Sequence, residues 1–337
     1  MDIKKIFGKT ILFIAIVSFV NIFSKVFGAE NSLVGVSTIV ATLVLLEKNL
    51  TNKPLISFLE LLATNLLIGL LAFVSSKDMI LGVFINFVTL ASIGYIFSYN
   101  ISKKLIVPFG LQYLFILYSP IESHQLGLRL LSLIAGAIIV MVVQFIVHSK
   151  KENNPEIEES LLYTDGEDDH DDTMVNILGK TYNLHPVRAI YAIKVGLLTA
   201  ITSLITALFD LDQGRWMVYT VFSITEFCSE HCKVKSKERM QGTVIGALIV
   251  VFIFMFIKDN TLRSLVVLMA GYLNPFAENY RDTIICVTVS SVASVALANG
   301  TLSTALERIM YVAIGIIVSL IANKYIVNNT SKTNKTN

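Results

Sequence analysis

The chain has 337 residues, 54% of them hydrophobic and only 15% charged, with a mean hydropathy of +0.68. A soluble domain carries about 25% charged residues, so the composition excludes an ordinary water-soluble protein and points to a polytopic membrane protein. The net charge of +2 says little, because charge is sorted by segment, and three cysteines (Cys228, Cys232, Cys286) do not make a disulfide framework.

The N-terminus, MDIKKIFGKTILFIAIVSFV, has the basic and apolar regions of a signal peptide. It lacks a small-x-small cleavage site, since Phe27 stands at the first small position, and is expected to be an uncleaved first span. Apolar segments then fall at about 10–27, 32–46, 55–74, 79–99, 105–119 and 126–147. A polar interval follows at 150–186. A second series runs over 189–209, 216–227, 243–257, 262–276, 283–298 and 302–327. Several segments are shorter than the roughly 20 residues a perpendicular span needs. These extend through polar flanks or re-enter the membrane, the second of each series above all.

The two series resemble copies. Arg129 precedes Gly136 as Arg308 precedes Gly315, at the same spacing, and Gly69 and Gly246 lie at nearly the same offset in the third segments. Six segments per copy is an even number, so both copies begin on the same side and are parallel. The expected fold is all-α, with about twelve transmembrane helices in two parallel six-helix repeats. The first membrane repeat covers 1–149 and the second 187–327. Between them, 150–186 reads as an acidic cytoplasmic linker, because ENNPEIEES and DGEDDHDD cannot bury a core. The polar end, 328–337, reads as a disordered tail.

Lys and Arg set the orientation. With a cytoplasmic N-terminus, Lys4, Lys5, Lys9, Lys103, Lys104 and the group Lys233, Lys235, Lys237 and Arg239 all fall inside. The chain is therefore expected in the cell membrane, multi-pass, with both termini cytoplasmic. In that frame the collar of charge at 226–239 meets anionic lipid headgroups. Gly242 and Gly246 behind it share one helix face that permits close helix approach.

Few residues carry recognisable chemistry. Glu226-x-Cys228-x-Glu230-His231-Cys232 has the vocabulary of a metal site but no second ligand cluster, so no metal is expected. Phosphate-binding, dinucleotide-binding and hydrolase motifs are absent from the sequence, so neither catalysis nor a cofactor is expected, and no nucleic-acid partner. Charges near the spans say more, because an arginine or lysine at the centre of a membrane helix costs about 2.5–3.5 kcal/mol on insertion scales. Lys194 either snorkels to the headgroups or lines an aqueous path. Arg129 and Arg308 either fix their helix ends or offer two guanidiniums to a carboxylate. Arg215 and Trp216, beside Asp210 and Asp212, form an outer rim. Asn274-Pro275-Phe276 breaks the tenth segment, as a turn or as a broken helix that exposes backbone to a substrate. The candidate substrate-binding set is Arg129, Arg308, Arg215, Trp216 and Asn274. Asp210, Glu226 and Glu307 are the candidate proton carriers.

Trp216 and the motif Arg239-x-x-Gly242-Thr243-x-x-Gly246 resemble the fusaric acid resistance protein-like family of integral membrane transporters, akin to the aromatic acid exporters. The resemblance covers about 188–326, and the N-terminal half looks like a diverged copy that keeps Gly69 without the Gly-Thr pair. It implies proton-driven efflux of small aromatic or other weak organic acids, with a small organic anion as substrate. Many members carry a large cytoplasmic domain between the membrane halves, where this chain has only its acidic linker. Two other readings stand beside it: a homo-oligomeric anion channel, since plant anion channels of the malate type look distantly similar, and a non-transporting membrane scaffold. The Lys-, Asn- and Ile-rich usage fits a bacterial source.

Overall fold

The computed structural model describes residues 3–98, 103–148, 173–177 and 180–333. Among them are twelve α-helices: α1 (Ile3–Phe27), α2 (Ser32–Leu45), α3 (Pro54–Ser75), α4 (Met79–Ile96), α5 (Ile106–Leu117), α6 (Leu126–His148), α7 (Pro186–Leu208), α8 (Arg215–Ile224), α9 (Ser229–Phe256), α10 (Asn260–Leu273), α11 (Tyr280–Ala296) and α12 (Thr301–Thr333). Each lies on one of the apolar segments. Seven of them, α1, α3, α4, α6, α7, α9 and α12, are long and apolar enough to cross a membrane. α2 and α8, the second helices of the two series, are short at 14 and 10 residues.

The helix starts follow from local chemistry. Pro54 opens α3 at a position where its missing N–H is not needed. The side chains of Asp78, Asp259 and Asn279 cap α4, α10 and α11, accepting from the backbone N–H of Leu81 (2.7 Å), Leu262 (3.0 Å) and Asp282 (2.9 Å).

The acidic run of the expected linker lies outside the described residues. Its last part is not structureless: β1 (Thr173–Ile177) pairs antiparallel with β2 (Lys180–Leu184), from Thr173 opposite Leu184 to Ile177 opposite Lys180. At the other end of the chain, α12 continues to Thr333, into the expected disordered tail.

Contacts divide the chain into two compact units, and the division does not fall in the linker. One unit is 18–204 and the other is 1–17 with 205–337, so the boundaries cut through α1 and α7. In the first, α3 packs on α4, α5 and α6, and α2 packs on α5 and α6. α7 is fastened to α4: Asn86 Nδ2 donates to Ser203 Oγ (3.1 Å), and Arg188 donates to Tyr95 O (2.8 Å) and Ser98 Oγ (3.0 Å). Lys194 does not snorkel; it is 1% exposed, among the largest fully buried side chains.

In the second unit α9 is central, packed on α11 and α12, with α8 on α12 and α10 on α11. The start of α1 joins it through α10. Phe13 meets Tyr272 edge-on, Thr10 Oγ1 lies 3.0 Å from Tyr272 OH, and the Lys9 ammonium sits 4.7 Å from the Phe276 ring centroid. The core between α9, α10, α11 and α12 is built from small side chains, among them Ala247, Val250, Val292, Ala293 and Ala296. Small residues let backbones approach where lipid removes the hydrophobic advantage of large ones.

Candidate functional site

One face of the short helix α8 carries the chemistry of the second unit. Trp216, Thr220 and Ser223 recur at intervals of four and three, the spacing of a single helix face. Glu226 extends the line just past the helix, where the chain turns extended at Thr225. Each of the four meets a side chain from another helix. The Arg308 guanidinium of α12 lies over the Trp216 ring, 4.9 Å from its centroid. Arg239 of α9 donates from Nε to Thr220 Oγ1 (3.3 Å) and from Nη1 to Tyr280 OH of α11 (3.1 Å). The Ser223 and Tyr280 hydroxyls are 3.4 Å apart. Lys235 of α9 donates to Glu226 Oε1 at 2.5 Å and lies 5.6 Å from the Tyr280 ring centroid. Three cations, Arg308, Arg239 and Lys235, thus follow one another along α8, with Tyr280 between the last two.

Charge along this row is unbalanced. Arg308 is 3% exposed and Arg239 5% exposed. The charged groups acting on Arg308 are Arg239 and Arg215, both of its own sign, with the hydroxyls of Tyr219 and Tyr280 also within reach. Its Nε is buried and has no hydrogen-bond partner. No ion pair holds Arg308 or Arg239 among the described residues, whereas Lys235 is tied to Glu226. A buried charge is ordinarily paired, and an unmet donor on it carries the full desolvation penalty. Ser236 and Thr243, on the buried face of α9 that carries Arg239, also have hydroxyls without partners. Cations and hydroxyl groups left unmet together form the lining an anion with oxygen acceptors would complete.

The structure sorts the expected residues. Arg308 lies over Trp216 with Arg215 and Arg239 acting on it, and Arg239 is buried between helices. Glu226 stands at the far end of the row. Gly242 and Gly246 are packing positions: a Cβ would fall 2.7 Å from Arg281 O at the first and 2.9 Å from Ile285 O at the second. Thr243 is fully buried beside them. Asn274 opens a single 3-10 turn at the end of α10, with its Oδ1 buried and unpartnered. Asp210 is an exposed turn residue at positive φ (46°) following α7. Glu307 acts on Tyr311 together with Asp212.

Arg129 is engaged within its own unit. It belongs to the unit 18–204, and its guanidinium is spent on Asn31 Oδ1, Glu30 O (3.0 Å) and Ser119 O (3.2 Å). It ties the α1–α2 connection to the end of α5, which is the helix-fixing role. Arg129→Met should therefore lower thermal stability in detergent by about 2 kcal/mol or more, because buried acceptors are left unmet. The same variant should leave anion binding at Trp216 intact, and a loss of binding without a loss of stability would reverse the assignment.

Sequence reasoning missed Thr220, Lys235 and Tyr280. Thr220 could have been found from its spacing to Trp216. Tyr280 is brought in by packing of α11 across 41 residues from Arg239 and had no local signal.

Residues 199–322 match the family model described as fusaric acid resistance protein-like, a stretch that holds α8, α9, α11 and nearly the whole apolar part of α12. No curated protein and no solved structure matches the chain.

Proposed function

We propose that this chain, a multi-pass membrane protein whose residues 199–322 are a fusaric acid resistance protein-like domain, exports small aromatic or other weak organic acids from the cell as anions. The observation that carries the reading is the fully buried Arg308 with an unmet Nε, backed by Arg239 and laid over Trp216. Arg308 and Arg239 hold the carboxylate, and the faces of Trp216 and Tyr280 accept an aromatic or apolar body. A proton gradient drives export. Glu226, already engaged with the row, is the carboxylate best placed to couple to it, ahead of the exposed Asp210 and of Glu307.

The helices form two parallel repeats of six. Lys77-Asp78 and Lys258-Asp259 begin the fourth helix of each series with the same side-chain cap. A Cβ at Gly136 would meet Thr38 of α2, and one at Gly315 would meet Thr220 of α8. α3 packs on α5 and α6 as α9 packs on α11 and α12. Both termini are cytoplasmic, which sets the Glu226 end of the row toward the cytoplasm, where the exposed Lys233 and Lys237 meet anionic lipid. The chain works as a homo-oligomer.

Trp216 is the single tryptophan of the chain, so its emission reports on this site alone. Benzoate should change that emission saturably in the purified protein, and liposomes containing the protein should lose trapped benzoate faster under a proton gradient. Flux that ignores the gradient would replace the exporter by a channel, a mode the continuous row of cations also suits. Absence of both the fluorescence response and the flux, with benzoate and with aliphatic carboxylates, would leave the scaffold reading.

A further inference from the structure

We propose that Glu226 is a tethered anion: its carboxylate occupies Lys235, the last cation of the row along α8, and a transported anion must take its place there. The inference rests on the anion-export reading above and adds how the anion leaves the buried arginines.

The first support is chemical identity. The contact between Glu226 Oε1 and Lys235 Nζ, at 2.5 Å, is the contact a carboxylate substrate would make with the same ammonium. The second is continuity. Lys235 faces the Tyr280 ring, the Tyr280 hydroxyl accepts from Arg239, Arg239 also holds Thr220, and Arg308 lies one turn further along α8 over Trp216. An anion released from Arg308 finds its next partners at Arg239 and then at Lys235.

The third support is position. The Glu226 side chain is 7% exposed and that of Lys235 is 37% exposed, so the pair stands where the buried row opens. Glu226 lies in the extended segment between α8 and α9, so its side chain can move without breaking a helix turn. The fourth is magnitude. A pair with one partner this exposed is weakly held, whereas the fully buried Arg308 interacts in a low-dielectric setting with no water to compete. The weak contact is the one that can exchange. While one carboxylate replaces another, Lys235 is paired throughout.

The test uses the full chain in liposomes, with benzoate efflux measured against internal benzoate concentration. Glu226→Gln removes the competing charge at nearly constant volume and is expected to lower the apparent KM about tenfold, the worth of one charge-assisted hydrogen bond, while also freeing the flux from the proton gradient that Glu226 couples to it. Lys235→Gln is expected to lower flux at least about tenfold, and adding Glu226→Gln to it should change nothing further. If Glu226→Gln melts early, Glu226→Asp reads the same idea. It keeps the charge but reaches Lys235 less closely, and its KM should fall by about threefold. A raised or unchanged KM in a folded Glu226 variant, or normal flux in Lys235→Gln, overturns the proposal. Failure of the underlying reading looks different: the wild type then moves no benzoate, or Arg308→Gln moves as much as the wild type.

Discussion

Arg308→Gln should abolish the response of Trp216 to benzoate and reduce efflux by about a hundredfold, while raising the melting temperature of the protein. The two halves of that expectation come from one cause. In the resting protein Arg308 is buried beside two charges of its own sign, and its Nε meets no acceptor. Removing such a charge relieves repulsion and desolvation, and replacing uncompensated buried ions by neutral groups is commonly stabilising by about 1–4 kcal/mol. The same removal takes away the strongest donor for the anion, and charge-assisted hydrogen bonds of about 1.5–3 kcal/mol each set the scale of the lost affinity. A residue that served only to fix a helix end would lose stability when replaced, as expected for Arg129. Arg308→Lys should fall between, because an ammonium keeps the charge but loses the planar stack on Trp216 and the bidentate fork. Melting curves, fluorescence titration and liposome flux on the same samples decide the matter. A Gln variant that is less stable and still transports would return Arg308 to a structural role.

The second large effect is on folding. Gly246→Leu should prevent formation of a monodisperse protein, and Gly246→Ala should lower stability by about 1–3 kcal/mol. A Cβ at Gly246 would stand 2.8 Å from Thr288 Cβ and 2.9 Å from Ile285 O, and one at Gly242 would stand 2.7 Å from Arg281 O. Two of these obstacles are backbone carbonyls of α11, which cannot yield unless the helix moves. α11 also begins with Tyr280, so pushing it away from α9 would part Tyr280 from Arg239. Size-exclusion profiles and thermal unfolding in detergent read the result. A well-folded Gly246→Leu protein with altered substrate preference would show instead that the seam lines the path.

The helices were legible because their signals are local. Every apolar segment became a helix, and the side-chain caps at Asp78, Asp259 and Asn279 mark starts the sequence carries in three or four residues. The site was half legible. Trp216, Arg215 and Arg308 stand out in the sequence as an aromatic and two charges at the edges of apolar segments. Arg239 was misplaced because the charged run hides its geometry: α9 begins at Ser229, so Arg239 sits about 15 Å along a continuous helix, under α8 and α11, not at its mouth. Arg129 and Arg308 show the limit most clearly. Their spacing to the following glycine is identical, yet one is met by Asn31 and two carbonyls, while the other lies over the Trp216 ring with its Nε unmet. What separates them lies on other helices, in residues far away in sequence.

The division of α1 between the two units has a consequence for synthesis. The start of α1 is translated before the unit 18–204, but its partners, Tyr272 of α10 and Phe276 of the 3-10 turn after it, are made only after the whole of that unit. At about 5–20 residues per second the wait is on the order of tens of seconds. Throughout it Lys9 and Phe13 are without these aromatic partners, so a segment translated before the unit 18–204 is fastened only after that unit is complete.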